Sequence, residues 1–211
     1  MKNEIMTIHG ALAELKTLDA RIENKIADAN FAFCNKHSNL KVSGQSIDDV
    51  IVTMNADYQS IIDLIARRRA IRNAVSQSNA VTKVNIGGVE YTVAEAIEMK
   101  KNGMSILHSL VNRLVAAYTN ASGTYTRLQD QISEKADQYV IGLLGGKDKL
   151  NTSDAQVMRQ AYIDANSYDL IAVKDLPEKV KKLNESISAF ETEVDAELSI
   201  SNALTTITIE Y

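Results

Sequence analysis

The densest run of chemistry-bearing side chains in this 211-residue chain is Arg67-Arg68-Arg69, with Arg72 one helical turn further on. Arg68 follows Leu64 by four residues and precedes Ile71 by three, so helical spacing sets it on an apolar stripe rather than on the opposite, solvated face. An arginine on a seam needs a partner. One is a carboxylate on a neighbouring helix, with Asp19, itself out of place on an apolar seam, as the candidate; otherwise the guanidinium groups run their stems along the seam and surface at its rim. The other use is an anion site, because the planar guanidinium fork suits carboxylate or phosphate. Tyr91, Tyr118, Tyr125 and Tyr139 lie in or beside the third helix, where a ring packs in a core or interface and its hydroxyl stays wet. Together with arginines, such a ring also suits stacking on a nucleotide base. Arg68, Arg72 and Tyr118 are therefore the expected ligand-binding residues.

The other constellations do not carry chemistry. Gly142-Leu143-Leu144-Gly145-Gly146-Lys147 has the look of a phosphate-binding loop, but the first glycine of that motif would fall at Ile141 and Asp148 stands where Ser or Thr should bind magnesium. It also follows a helix rather than a strand, so it is expected to end that helix. Cys34 and His37 are one turn apart on a helix, yet a tetrahedral metal site needs three or four ligands, and His9 and His108 supply no second pair. Cys34 is expected to be a buried thiol near a helix end. No serine or cysteine stands in a nucleophile context. No catalytic residue, metal ligand or cofactor is expected, and nothing identifies an enzyme.

The elements that must position these residues are long helices. Ile5, Ile8, Leu12, Leu15, Ile22, Ile26, Ala29 and Phe33 alternate by three and four with only the Asp19 slot failing. Val93, Ile97, Met104, Leu107, Val111, Leu114, Tyr118, Ala121, Tyr125, Leu128 and Ile132 do the same around Lys100, and Val180, Leu183, Ile187, Phe190 and Val194 form a third seam. A period near 3.5 keeps a narrow stripe facing a partner helix over many turns.

The spacing predicts a first helix over about 3–36, a loop over 37–45 and a second helix capped by Ser46 and Asp49 that runs to about residue 78. The period then changes to two. Residues 82–86 and 89–92 alternate around Gly87-Gly88, a β-hairpin, and Thr92 with Glu95 forms a capping box for a third helix reaching to about residue 141, with Asn102-Gly103 and Ser122-Gly123 as points of bending or interruption. A glycine-rich connection, a short helix over 153–166, an extended stretch over 168–173 and a last helix opened by Asp175 and Pro177 follow. The alternation over 205–211 predicts a strand that needs an edge to pair with.

Composition narrows the classes. The net charge of −4 and pI near 5.5 argue against a nucleic-acid backbone as the main partner. Cys34 is the only cysteine, which fits a reducing compartment. The start lacks the apolar core of a secretory signal, and no run approaches the roughly 20 apolar residues of a membrane span. A cytoplasmic protein without a membrane partner is the expectation.

Ser78-Asn79-Ala80, leading through Gly88, Tyr91-Thr92 and Val93 to Glu95-Ala96-Ile97, resembles the asparagine-alanine, glycine-turn, hydroxyl-cap and glutamate-alanine pattern of the septicolysin-like family of long-helix proteins. The likeness is strongest over 78–97 and weaker over 6–28 and 176–206. It implies the helical architecture and assigns no activity. The expected fold is all-α: a long antiparallel coiled-coil bundle in a single domain over 1–211, with a β-hairpin at about 81–92 and an irregular insert at about 142–174. The expected function is a non-enzymatic homo-oligomer that sequesters a small anionic, nucleotide-like signal, in the manner of phage-encoded inhibitors of bacterial immunity. A structural scaffold or virion component without a small ligand is the alternative.

Overall fold

The computed structural model describes residues 3–211. The elements run β1 (Asn3–Thr7), α1 (Ile8–Asp28), β2 (Lys41–Val42), β3 (Gln45–Ser46), α2 (Ile47–Val81), β4 (Lys83–Ile86), β5 (Val89–Thr92), α3 (Val93–Glu98), a π-helical turn (Met99–Gly103), α4 (Met104–Leu144), a 3-10 turn (Lys147–Lys149), α5 (Ser153–Asn166), α6 (Leu176–Leu204) and β6 (Thr206–Glu210). The class is all-α, and the strands form only two-stranded antiparallel pairs, β1 with β6, β2 with β3 and β4 with β5. Among the described residues, no helix is long and apolar enough to cross a membrane. The chain divides into two compact units, Met1–Gly103 with Ala189–Tyr211, and Met104–Ser188.

In the first unit α1 packs antiparallel on the C-terminal half of α2. Ile8, Ala11, Leu15 and Leu18 meet Ile71 and Val75, and Ile207 and Ile209 of β6 close the cluster. The first helix is shorter than its seam predicts. Asn3–Thr7 is a strand, because β6 supplies the edge partner that its own alternation demands, in the register Asn3↔Glu210, Ile5↔Thr208 and Thr7↔Thr206. Thr7 then caps α1 by accepting from the Gly10 amide at 3.1 Å. At the other end α1 stops at Asp28. The following residues include Asn30, Asn35 and Asn39, which are weak helix formers, and Asn35 and Asn39 bond locally to each other instead. Cys34 is consequently exposed, not buried near a helix end.

The hairpin forms as its sequence dictates, with Gly87 and Gly88 at φ 60° and 78° in the turn. The capping box is complete: Thr92 Oγ1 accepts from the Glu95 amide at 3.2 Å, and Glu95 Oε2 accepts from the Thr92 amide at 2.7 Å. The Thr92 hydrogen bonds hold the Glu95 carboxyl below its ordinary pKa. The third helix does break near Asn102-Gly103, through a π-helical turn in which a β-carbon on Gly103 would stand 2.5 Å from the Met99 sulfur.

In the second unit α4 continues through Gly123 without interruption and ends at Gly145, whose φ of 75° and amide bond to the Ile141 carbonyl close the last turn. Gly142-to-Lys147 is thus a helix terminus followed by a 3-10 turn. α5 docks on α4 through the tilted ring pair of Tyr139 and Tyr162 at 5.0 Å and the Arg159–Asp137 pair at 2.6 Å, and its Ala155 is buried.

Candidate functional site

Neighbouring arginines on α2 have different fates. Arg67 is largely buried and spends its guanidinium inside the first unit. Its Nε donates to Glu14, its Nη2 reaches the other Glu14 oxygen at 2.9 Å, and its Nη1 donates to Glu4 at 2.7 Å and to the Tyr211 hydroxyl. The guanidinium carbon lies 4.8 Å from the centre of the Tyr211 ring. This one side chain ties together α1, β1, α2 and the C-terminal Tyr211. The hydrogen bonds that Arg67 donates to Glu14 and then Glu4 raise the Arg67 pKa, and the bond from Arg67 lowers that of Glu4.

Arg68 grips Asp19 with both ends of its fork, through Nε and, at 3.3 Å, through Nη2. The two misplaced charges of the facing seams therefore neutralise each other. The Arg68 hydrogen bond holds the Asp19 carboxyl below its usual range, and the charges of Arg68 and Arg72 act in the same direction. Arg72 itself forms no ion pair among the described residues. It lines a cleft of about 580 Å³ on the α1–α2 face with His9, Leu12, Ala13, Lys16 and Asp19.

That cleft has an anion-accepting chemistry. His9 and Lys16 are seven residues apart on α1 and share a face, Arg72 of α2 lines the same cleft, and the single carboxylate present is already held by Arg68. Leu12, Ala13 and Leu15 add apolar lining.

Of the sequence-predicted residues, Arg68 and Arg72 come together on the first unit, one holding the cleft's acid and the other lining the cleft. Tyr118 belongs to the second unit, where it is half-buried in a small apolar pocket of about 240 Å³ beside Leu114, Val115, Leu176, Pro177 and Val180. Its surroundings there are packing partners for a ring. His9 and Lys16 escaped the sequence argument, although their heptad spacing on the same helix as Asp19 was the signal that could have found them. Among the described residues, no group of three or more His, Cys, Asp or Glu side chains is arranged to hold a metal ion. Compared with protein-family models, with curated proteins and with solved structures, the chain matches none.

Proposed function

We propose that this chain is a non-enzymatic, homo-oligomeric helical binding protein that sequesters a small anionic ligand in the cytoplasm. The observation that carries the proposal is the cleft lined by His9, Lys16 and Arg72 together with Leu12 and Ala13, in which Lys16 and Arg72 are cationic and the one acid, Asp19, is bonded to Arg68. A phosphate-bearing, nucleotide-like molecule has the matching chemistry: charge for the donors and a flat apolar surface for Leu12 and Ala13. Withholding such a signal is the task of a phage-encoded inhibitor of bacterial immunity. The long antiparallel coiled-coil bundle and the septicolysin-like kinship over 78–97 belong to the same proposal, and the α1–α2 pairing supports the first of them.

The test is calorimetry against a panel of linear and cyclic nucleotides, followed by heat release and chromatography. A sequestering protein binds and returns its ligand intact. Lys16→Gln weakens binding about tenfold, the loss typical of one charge-assisted hydrogen bond, and flattens the salt dependence without changing assembly mass. Cleaved ligand overturns the non-enzymatic assignment.

A specific observation favours the scaffold as second reading. Arg67 commits most of its donors to Glu14 and Glu4, and Arg68 binds Asp19 through two nitrogens, which is structural use. A scaffold shows no heat with any nucleotide and keeps its assembly mass in Lys16→Gln.

A further inference from the structure

Among the described residues of its own unit, the N-terminal half of α2 touches only the small β2–β3 pair that precedes it, apart from Lys25 of α1, which reaches Ser60 at 3.0 Å. Between Ile47 and Ser60 its Ile47, Val50 and Met54 are only half-buried, and Ile51, Val52 and Tyr58 are exposed. A second stripe, flanking the one packed on α1, runs along α2 from residue 48 to residue 72: Ile51, Tyr58, Ile62 and Ile65 are 45%, 55%, 39% and 42% exposed. The same alternation of three and four reaches Asp48 at one end, passes through Asn55, and reaches Arg69 and Arg72 at the other. Charge is polarised along it. Asp48, Asp49, Asp57 and Asp63 lie in the first half without a lysine or arginine, and Arg67, Arg68, Arg69 and Arg72 lie in the second without an acid.

We propose that a second copy of this chain lies antiparallel along this stripe, with the two-fold axis level with residue 60. The proposal rests on the homo-oligomeric part of the function above and names its surface and register. About such an axis Tyr58 meets Ile62 of the second copy, Asn55 meets Ile65, Ile51 packs on the stem of Arg69, and Asp48 meets Arg72. Asp48 and Asp49 then face the basic half of the second copy, while Asp57 and Asp63, off the stripe, lie level with each other across the axis. A parallel pairing sets Arg69 on Arg69 and Asp48 on Asp48, which repel. A slip of one heptad carries Asp48 onto Ile65 in one direction and Arg72 onto Asn55 in the other, so charge selects this register. Arg72 has five N–H donors, enough to serve both the second copy's Asp48 and an anion in the cleft. The dimer assembles as α1 and α2 of each copy, a four-helix arrangement around the two exposed stripes.

Disulfide cross-linking tests the register. In a Cys34→Ser background, the double variant Asn55→Cys/Ile65→Cys forms a covalent dimer on mild oxidation, because the two cysteines of one helix are ten residues apart and reach only the other copy. The single variant Asn55→Cys stays uncrosslinked. Asp48→Arg and Arg72→Asp, both at the surface, each weaken self-association tenfold or more by light scattering, and their combination restores it. Cross-linking of the single variant shows parallel pairing and overturns the proposal. A dimer of intact mass that fails to cross-link, as when Phe31 or Phe33 of the same chain covers the stripe, overturns the surface and leaves the homo-oligomeric reading standing. A monomer at high micromolar concentration overturns both. Nucleotide calorimetry is read separately: a cross-linked dimer that gives no heat supports this surface and removes the ligand.

Discussion

The two halves of α2 have similar apolar content and opposite fates. From Ile61 to Val75 the helix buries Ile61, Ile71 and Val75, with Leu64, Ala70 and Ala74 packed at the edge of the core formed by α1 and β6. From Ile47 to Ser60 nothing is buried, although the start is well made: Ser46 accepts from the Asp49 amide at 3.1 Å, and Asp48 and Asp49 favour the positive end of the helix dipole. Capping and periodicity make a helix. Burial needs a second surface, and among the described residues the C-terminal half finds the larger one, in α1 and β6. Fourteen residues without such a surface would be marginal as an isolated helix, which is why the unburied stripe points to association.

The comparison breaks most directly at Ile71, which is fully buried. Ile71→Ala is expected to lower stability in urea by about 3 kcal/mol, the usual cost of emptying such a site, whereas Ile51→Ala in dilute solution changes it by less than about 0.5 kcal/mol. Equal losses at the two positions would show that the first half is packed after all. Arg67 comes next. Arg67→Ala strands Glu4 and Glu14 beside each other and is expected to cost about 2 kcal/mol, measured in the same way.

The carboxylates partnered by these arginines give the contrast a pH signature. Glu4 and Asp19 titrate lower in the folded chain than when unfolded. Their stabilisation is therefore present above the ordinary carboxylate pKa of about 4 and is lost as pH falls through the lower folded values. Urea midpoints are expected to drop on acidification below pH 4, and the drop to shrink in Arg67→Ala and Arg68→Gln. A drop of unchanged size in both variants would assign the acid sensitivity to other groups.

The smallest effects compare the two helix starts. Thr92→Ala removes the cap of α3, whose Val93 and Ala96 are buried, and is expected to cost about 1 kcal/mol. Ser46→Ala is expected to leave global stability unchanged while speeding amide exchange over 47–55, because that end can fray without opening the core. Far-ultraviolet circular dichroism with urea titration reads the first, and hydrogen exchange the second.

Local signals were legible in the sequence. The Gly87-Gly88 turn, the Thr92–Glu95 box, the Ser46 cap, the break near Asn102-Gly103 and the pairing of Arg68 with Asp19 each depend on residues a few positions apart or on a charge that breaks a seam. What depends on distant chain was not. Ile5 and Ile8 fit a helical seam as well as they fit a strand end, and only the arrival of Thr206–Glu210 decides for β1. The buried stripe of α1 is Ile8, Ala11, Leu15, Leu18 and Ile22, so Leu12 and Ile26 of the predicted seam fall on the open face. Small residues hid the true phase: Ala11 counts little in a hydrophobic pattern, yet it is fully buried in the core. Of the candidate site, the arginines were visible as a cluster, but which one was spent and which left over required knowing where Glu4, Glu14 and Tyr211 converge.

Hydrogen exchange along α2 as a function of protein concentration tests the central claim that its two halves answer to different partners. The account predicts that amides over 64–78 are protected at every concentration, because α1 and β6 cover them. Amides over 50–60 exchange fast when dilute and gain protection as the protein self-associates. Equal protection of both halves in dilute, monomeric protein would contradict it.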